Sequence, residues 1–130
     1  MDMAGDATGA YEPPGDLVAR VGVEHVRLSY EYLDRHDIDG YGSLFDADAV
    51  LRSPVAGVVR GRAEIESYQA KRATDASRHV LDGVFGSAGL VFVVGRLTGP
   101  DRQVEFLDLF TLTEHGMLLS QKSYFFAAPS

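Results

Sequence analysis

Asp108 lies within Val104-Glu105-Phe106-Leu107-Asp108-Leu109-Phe110-Thr111-Leu112, a stretch that alternates as a strand does. Side chains on a strand point to opposite faces with period two, so Asp108 shares a face with Val104, Phe106, Phe110 and Leu112. A bare carboxylate in that company is too costly to bury; it must be hydrogen-bonded, paired or kept protonated. Two arrangements meet the demand. Either the face opens to water or a backbone amide at Asp108, or the carboxyl belongs to a ligand pocket, where perturbed acids gather. Two other groups could hold or move a proton. His79 opens a strand-like run, and a neutral imidazole transfers a proton near pH 7 without a large shift. Tyr30 lies on an apolar helical stripe, where a phenol either donates to a carbonyl or enolate oxygen or is satisfied within the core.

The remaining polar residues point away from other chemistries. His25 and Ser29 are one helical turn apart, but serine is a poor metal ligand, and no other histidine–carboxylate pair has metal-ligand spacing. No metal and no cofactor is expected, and no glycine-rich loop of the phosphate-binding kind is present. His25, His36 and His115 read as structural or exposed, with His36 at a helix end where a cation suits the dipole. Tyr68 and Tyr124 read as core residues. Arg52 and Ser53 are adjacent on a short strand, so only one of them can enter a pocket.

A chain of 130 residues with 45 % apolar content is one domain with a real core. No apolar run is long enough to cross a bilayer, and the N-terminus lacks a signal-peptide layout. The absence of cysteine removes disulfides, thiolate nucleophiles and thiolate metal sites, and favours a cytoplasmic setting. The net charge of −7 and scattered arginines argue against nucleic acid or an anionic membrane as partner.

The elements that must position these groups follow from periodicity. Residues 1–15 are rich in Gly, Ala, Asp and Pro and read as a mobile N-terminal arm; residues 16–130 form a single domain. Asp16 can cap a helix over residues 17–36, on which Val23, Val26, Tyr30 and Leu33 step along one stripe. Glu24, Arg27, Glu31, Asp34 and Arg35 fill the opposite side. Asp37-Ile38-Asp39-Gly40 breaks that helix, and a short helix over 41–45 follows. Val50-Leu51 is a short apolar run closed by Pro54, residues 55–60 form a second short strand, and residues 62–73 a helix. Residues 78–85, 89–97, 103–113 and 117–127 are strand-like and separated by tight turns, an antiparallel meander. Helices first and sheet last is an α+β layout, with the helices covering one face of a curved sheet and leaving an open-ended cavity.

Leu44-Phe45-Asp46-Ala47-Asp48-Ala49-Val50, a strand ending in Pro54, Val59-Arg60-Gly61-Arg62-Ala63-Glu64-Ile65 and the meander with Glu114-His115-Gly116 at its last turn together resemble the NTF2-like, or SnoaL-like, superfamily. That superfamily includes ketosteroid isomerases, scytalone dehydratase and small polyketide cyclases. The resemblance spans about residues 17–127 and implies a cone-shaped α+β fold, N-terminal helices packed into a strongly curved, mainly antiparallel sheet. It places Asp108 where the isomerases keep an oxyanion-stabilising aspartic acid, a carboxyl held neutral by an apolar site. The isomerase base falls on Ser53 and its oxyanion tyrosine on Ser29, so the steroid-type machinery is not preserved. The resemblance to scytalone dehydratase implies a His79 that points into the cavity.

The expectation is a cofactor-independent cyclase, dehydratase or isomerase acting through an enol or enolate on a small aromatic or polyketide-like ligand of secondary metabolism. Catalytic groups would be His79 as base or shuttle, Asp108 as protonated donor or, if ionised, as base, and Tyr30 assisting. Ser29, Ser53, Phe106 and Phe110 would bind substrate. The alternative is a non-catalytic small-molecule-binding or assembly protein of the same fold. A homodimer through the outer sheet face, where Leu107 and Leu109 point, is the family expectation.

Overall fold

The computed structural model describes residues 16–72 and 76–126; the expected arm over 1–15 lies outside the described residues. The chain runs α1 (Asp16–Asp34), α2 (Ile38–Gly42), β1 (Phe45–Ser53), β2 (Gly57–Arg60), α3 (Arg62–Arg72), β3 (Arg78–Ser87), β4 (Leu90–Thr98), β5 (Gln103–Leu112) and β6 (Leu118–Phe126). Six strands form one sheet in the order β2-β1-β6-β5-β4-β3. The last four strands are the expected antiparallel meander, and β1 joins its β6 edge in parallel. The α+β layout and the helix-covered, curved sheet are as the sequence implies. Among the described residues, no helix is long and apolar enough to cross a membrane.

Alternation in β5 sends Phe106, Asp108, Phe110 and Leu112 inward, all buried, while Leu107, Leu109 and Thr111 face out. The inward side meets Val26 and Tyr30 of α1, giving a core that also holds Phe45, Leu51, Ile65, Val91, Val93 and Leu118. Residue 95 of β4 must be small. A Cβ on Gly95 would stand 2.5 Å from the Val80 carbonyl oxygen and 2.9 Å from Phe106 Cζ. Its bare backbone leaves the space across which the Phe106 ring lies.

The sheet curves where its pairing is irregular. In β3 the register shifts between Leu81 and Gly83, leaving Asp82 as an extra residue, and such bulges bend a strand and increase its twist. Asp82 turns outward to a two-pronged pair with Arg96 of β4, at 3.0 and 3.1 Å. The start of β3 lies against α1, where His79 meets Asp34.

Three elements differ from their expected form. β1 begins at Phe45, not Val50, because Phe45 and Ala49 are buried while the intervening Asp46-Ala47-Asp48 bulges outward, with Asp46 accepting from the Asp48 N–H at 3.0 Å. The short helix lies earlier, over Ile38–Gly42, because the Asp37 side chain caps it by accepting from the Gly40 N–H. The first helix ends at Asp34: the Asp37 N–H bonds to the Tyr32 carbonyl and the His36 N–H to that of Leu33, with His36 left-handed at φ 61°. These paired bonds are a Schellman closure.

Candidate active site

A cavity of about 220 Å³ opens between α1, α3 and the inner face of the sheet. Tyr30, Ser53, His79, Phe106 and Asp108 line it together, joined by Asp34, Gln121 and Ser123.

Asp108 is 4 % exposed and Tyr30 is likewise buried, one from the middle of β5 and the other from the stripe of α1. The Tyr30 hydroxyl donates to Asp108 Oδ2 at 2.5 Å, and Gln121 Nε2, on the neighbouring β6, donates to the same oxygen at 3.2 Å. Asp108 Oδ1 is buried and has no hydrogen-bond partner among the described residues. In a neutral carboxyl, two donors on Oδ2 and none on Oδ1 would make Oδ2 the carbonyl oxygen and leave the hydrogen to Oδ1. Burial pushes the Asp108 carboxyl up from the ordinary aspartate range, against an opposing pull from Tyr30, Ser123, His79 and Gln121. Burial, with Asp108 beside it, also raises the Tyr30 phenol well above its usual value, so Tyr30 keeps its proton.

His79 is held from α1. Asp34, one helical turn beyond Tyr30, accepts from the His79 backbone N–H at 2.9 Å through Oδ2, and its Oδ1 lies 2.7 Å from His79 Nδ1. A carboxylate there can only accept, which favours the neutral tautomer that donates from Nδ1–H and keeps its lone pair on Nε2. The imidazole packs on the Tyr30 ring at 5.1 Å between centroids and meets Phe106 edge-on at 5.9 Å. Tyr30 thus touches both the acid and the imidazole.

Of the residues expected to bind substrate, Ser53 and Phe106 line the cavity, while Ser29 and Phe110 do not. The Ser29 hydroxyl donates to the Val26 carbonyl of its own helix at 2.6 Å. Phe110 is fully buried one ladder step past Asp108, edge-on to Tyr30 at 6.1 Å. Ser53 is the member of its pair that enters; Arg52 is exposed. The Ser53 hydroxyl also accepts from the Ala56 N–H at 2.8 Å.

Sequence reasoning missed Asp34 and Gln121. Asp34 is not on the solvent side of α1: it faces β3, and its spacing of four from Tyr30 was the available signal. Gln121 pairs with Phe110 in the ladder, on the inward parity of β6. Tyr124 is not core; it lies on the outer sheet face at 40 % exposure. His25 Nδ1 lies 2.8 Å from the Gly116 carbonyl oxygen, a structural tie between α1 and the last turn. His115 is exposed beside Glu114. Among the described residues, no group of three or more His, Cys, Asp or Glu could hold a metal ion.

The family model for the SnoaL-like domain matches residues 26–120. No curated protein is significantly similar in sequence. Among solved structures, a candidate ketosteroid isomerase from Kribbella flavida DSM 17836 superposes with a TM-score of 0.77 at 13 % identity, over 86 % of this chain and 82 % of that one. SalBIII, described as an epoxide hydrolase/cyclase-like enzyme in pyran ring formation in the polyether salinomycin, gives 0.71 at 20 % identity, over 82 % and 91 %. A protein of cystatin-like fold from Methylobium petroleophilum PM1 gives 0.76 at 13 %, over 92 % and 82 %. At such identities the likeness speaks for the fold and not for the reaction.

Proposed function

This chain belongs to the SnoaL-like domain family, and on that premise we propose that it is a cofactor-independent enzyme that makes and uses an enol or enolate of a small aromatic or polyketide-like substrate. The observation that carries the reading is the convergence of Tyr30, Asp108 and the Asp34-held His79 on one cavity. Enolisation needs one group to take a proton beside a carbonyl and another to stabilise the oxyanion that results.

His79 Nε2 takes the proton from carbon, and the electron pair of that C–H bond moves onto the carbonyl. Asp108 Oδ1–H donates to the developing oxyanion. Tyr30 and Gln121 hold Oδ2, fixing the carboxyl plane and the direction of the acidic hydrogen. Phe106 presents a flat apolar wall to a ring. The proton on His79 then returns at a different carbon for isomerisation, or goes to a departing hydroxyl for dehydration. In a cyclisation the enolate carbon attacks a second carbonyl, whose oxygen takes that proton.

Deuterium exchange at the carbon beside the carbonyl of 2-tetralone, a ring ketone of suitable size, tests this by proton NMR. Wild-type protein accelerates the exchange over buffer, and Asp108→Asn and Asp108→Ala both slow it by about 10²-fold or more. Exchange at the wild-type rate in both variants refutes the role given to Asp108, and no acceleration over buffer by wild type leaves a binding protein of the same fold.

A homodimer is part of the same proposal. Phe85, Phe92, Val94, Tyr124 and Phe126 are exposed on the outer sheet face, next to the outward Leu107 and Leu109. An apolar face of that extent supports a second copy as its cover.

A further inference from the structure

The cavity does not end at its mouth. A second basin, of about 460 Å³, adjoins it, the two sharing Arg72, Ser77, Leu97 and Phe125. The basin's apolar lining is Pro54, Val55 and Val104 together with Leu97 and Phe125. Among the described residues its charged lining is Arg72 and Arg102, with no acid. In a chain of net charge −7 this is a local reversal of sign.

Neither arginine is committed to a carboxylate among the described residues. Arg72 donates to the Tyr68 hydroxyl at 3.1 Å and lies over that ring at 5.4 Å, contacts that aim the guanidinium without neutralising it. Arg102, in the β4–β5 turn, makes no side-chain hydrogen bond there. By contrast, the outer-face Arg96 is paired to Asp82. Two unneutralised guanidiniums over an apolar floor suit an anion on an apolar body, since guanidinium meets carboxylate in a planar, two-bond geometry.

We propose that the mouth is a carboxylate subsite: the substrate is a ring-bearing acid whose carbonyl end reaches Asp108 and whose carboxylate is held by Arg72 and Arg102. This rests on the inner cavity being the reaction site and adds the class of molecule that fills it. The arrangement also fixes polarity. The acid end is disfavoured inside, because it would meet the Asp34 carboxylate, where a like charge is unfavourable.

Isothermal titration calorimetry of the full chain with 2-naphthol and 6-hydroxy-2-naphthoate tests the subsite. The two share a ring and a hydroxyl, an enol mimic, and differ by the carboxylate. Wild-type protein binds the naphthoate about five- to tenfold more tightly at low salt, and the difference shrinks at high salt because the mouth is exposed. Arg102→Gln, and more completely Arg72→Gln/Arg102→Gln, bring the ratio of the two affinities, measured within each variant, close to one. A ratio of one in wild type, or one that survives the double variant, overturns the proposal. Binding of the naphthoate but not the naphthol, with arginine dependence, keeps the subsite and removes the ring-and-enol reading. Binding of neither compound removes both.

Discussion

Asp34 closes the last turn of α1 and holds His79, 45 residues later, by two bonds from one carboxylate: one to the backbone N–H and one to Nδ1. One side chain therefore ties down both the backbone at the start of β3 and one nitrogen of the imidazole.

Replacing Asp34 by Ala should release the ring from its Nδ1–H form. Nitrogen-15 NMR of His79 at alkaline pH reads the tautomer directly: Nδ1–H dominates in wild type and Nε2–H gains in Asp34→Ala. The orphaned, half-buried amide should lower stability by about 1–3 kcal/mol. An unchanged tautomer ratio would mean that Asp34 supports the fold only.

Asp108 gives stability a definite pH dependence. Its folded-state pKa is raised, mainly by burial, above the unfolded value. The folded state then binds more protons between the two values, so stability contributed by the neutral acid is full below the unfolded pKa and is lost as pH rises through the folded one. Asp108→Asn removes that titration. Urea melts across pH 3–8 should show the variant gaining on wild type as pH rises above the ordinary aspartate range; parallel profiles would show Asp108 ionised as usual.

Gly95→Ala tests how the site's wall is built. The added methyl would stand within 3 Å of both the Val80 carbonyl oxygen and the Phe106 ring, and backbone cannot yield as a side-chain tip can. Destabilisation of about 1–3 kcal/mol by thermal melting, with weaker 2-naphthol binding, is expected from overpacking. No change in either would show that the strand shifts freely.

Much of this architecture was legible beforehand, and the failures have physical causes. Inward alternation in β5 and the Val26–Tyr30 stripe are periodic signals, and both placed Tyr30 and Asp108 on facing surfaces. Phe110 shows where such reasoning stops: sharing a face with Asp108 is not sharing a cavity, since two residues along a strand is about 7 Å. Ser29 fails for an angular reason, being about 100° around the helix from Tyr30 and bonded to its own backbone. Asp34 was hidden because its partner lies 45 residues away on β3, a tertiary contact that leaves no period in a sequence.

Sedimentation tests the outer face. Wild-type protein should run as a dimer at micromolar concentration. Phe92→Lys/Leu109→Lys, which puts two like charges on a directly paired site next to Lys122, should run as a folded monomer. A monomeric wild type removes the dimer.

The central claim is that Asp108 keeps its proton in order to give a hydrogen bond through Oδ1. Carbon-13 NMR of aspartate-labelled protein, with Asp108 assigned by its loss in Asp108→Asn, reads that proton as pH is varied. The account predicts a carboxyl resonance that titrates with a midpoint above the ordinary aspartate range, rising further when 2-naphthol is replaced in the cavity by the non-acidic acceptor 2-tetralone. A resonance that titrates at the ordinary aspartate value, with or without 2-tetralone, would contradict it.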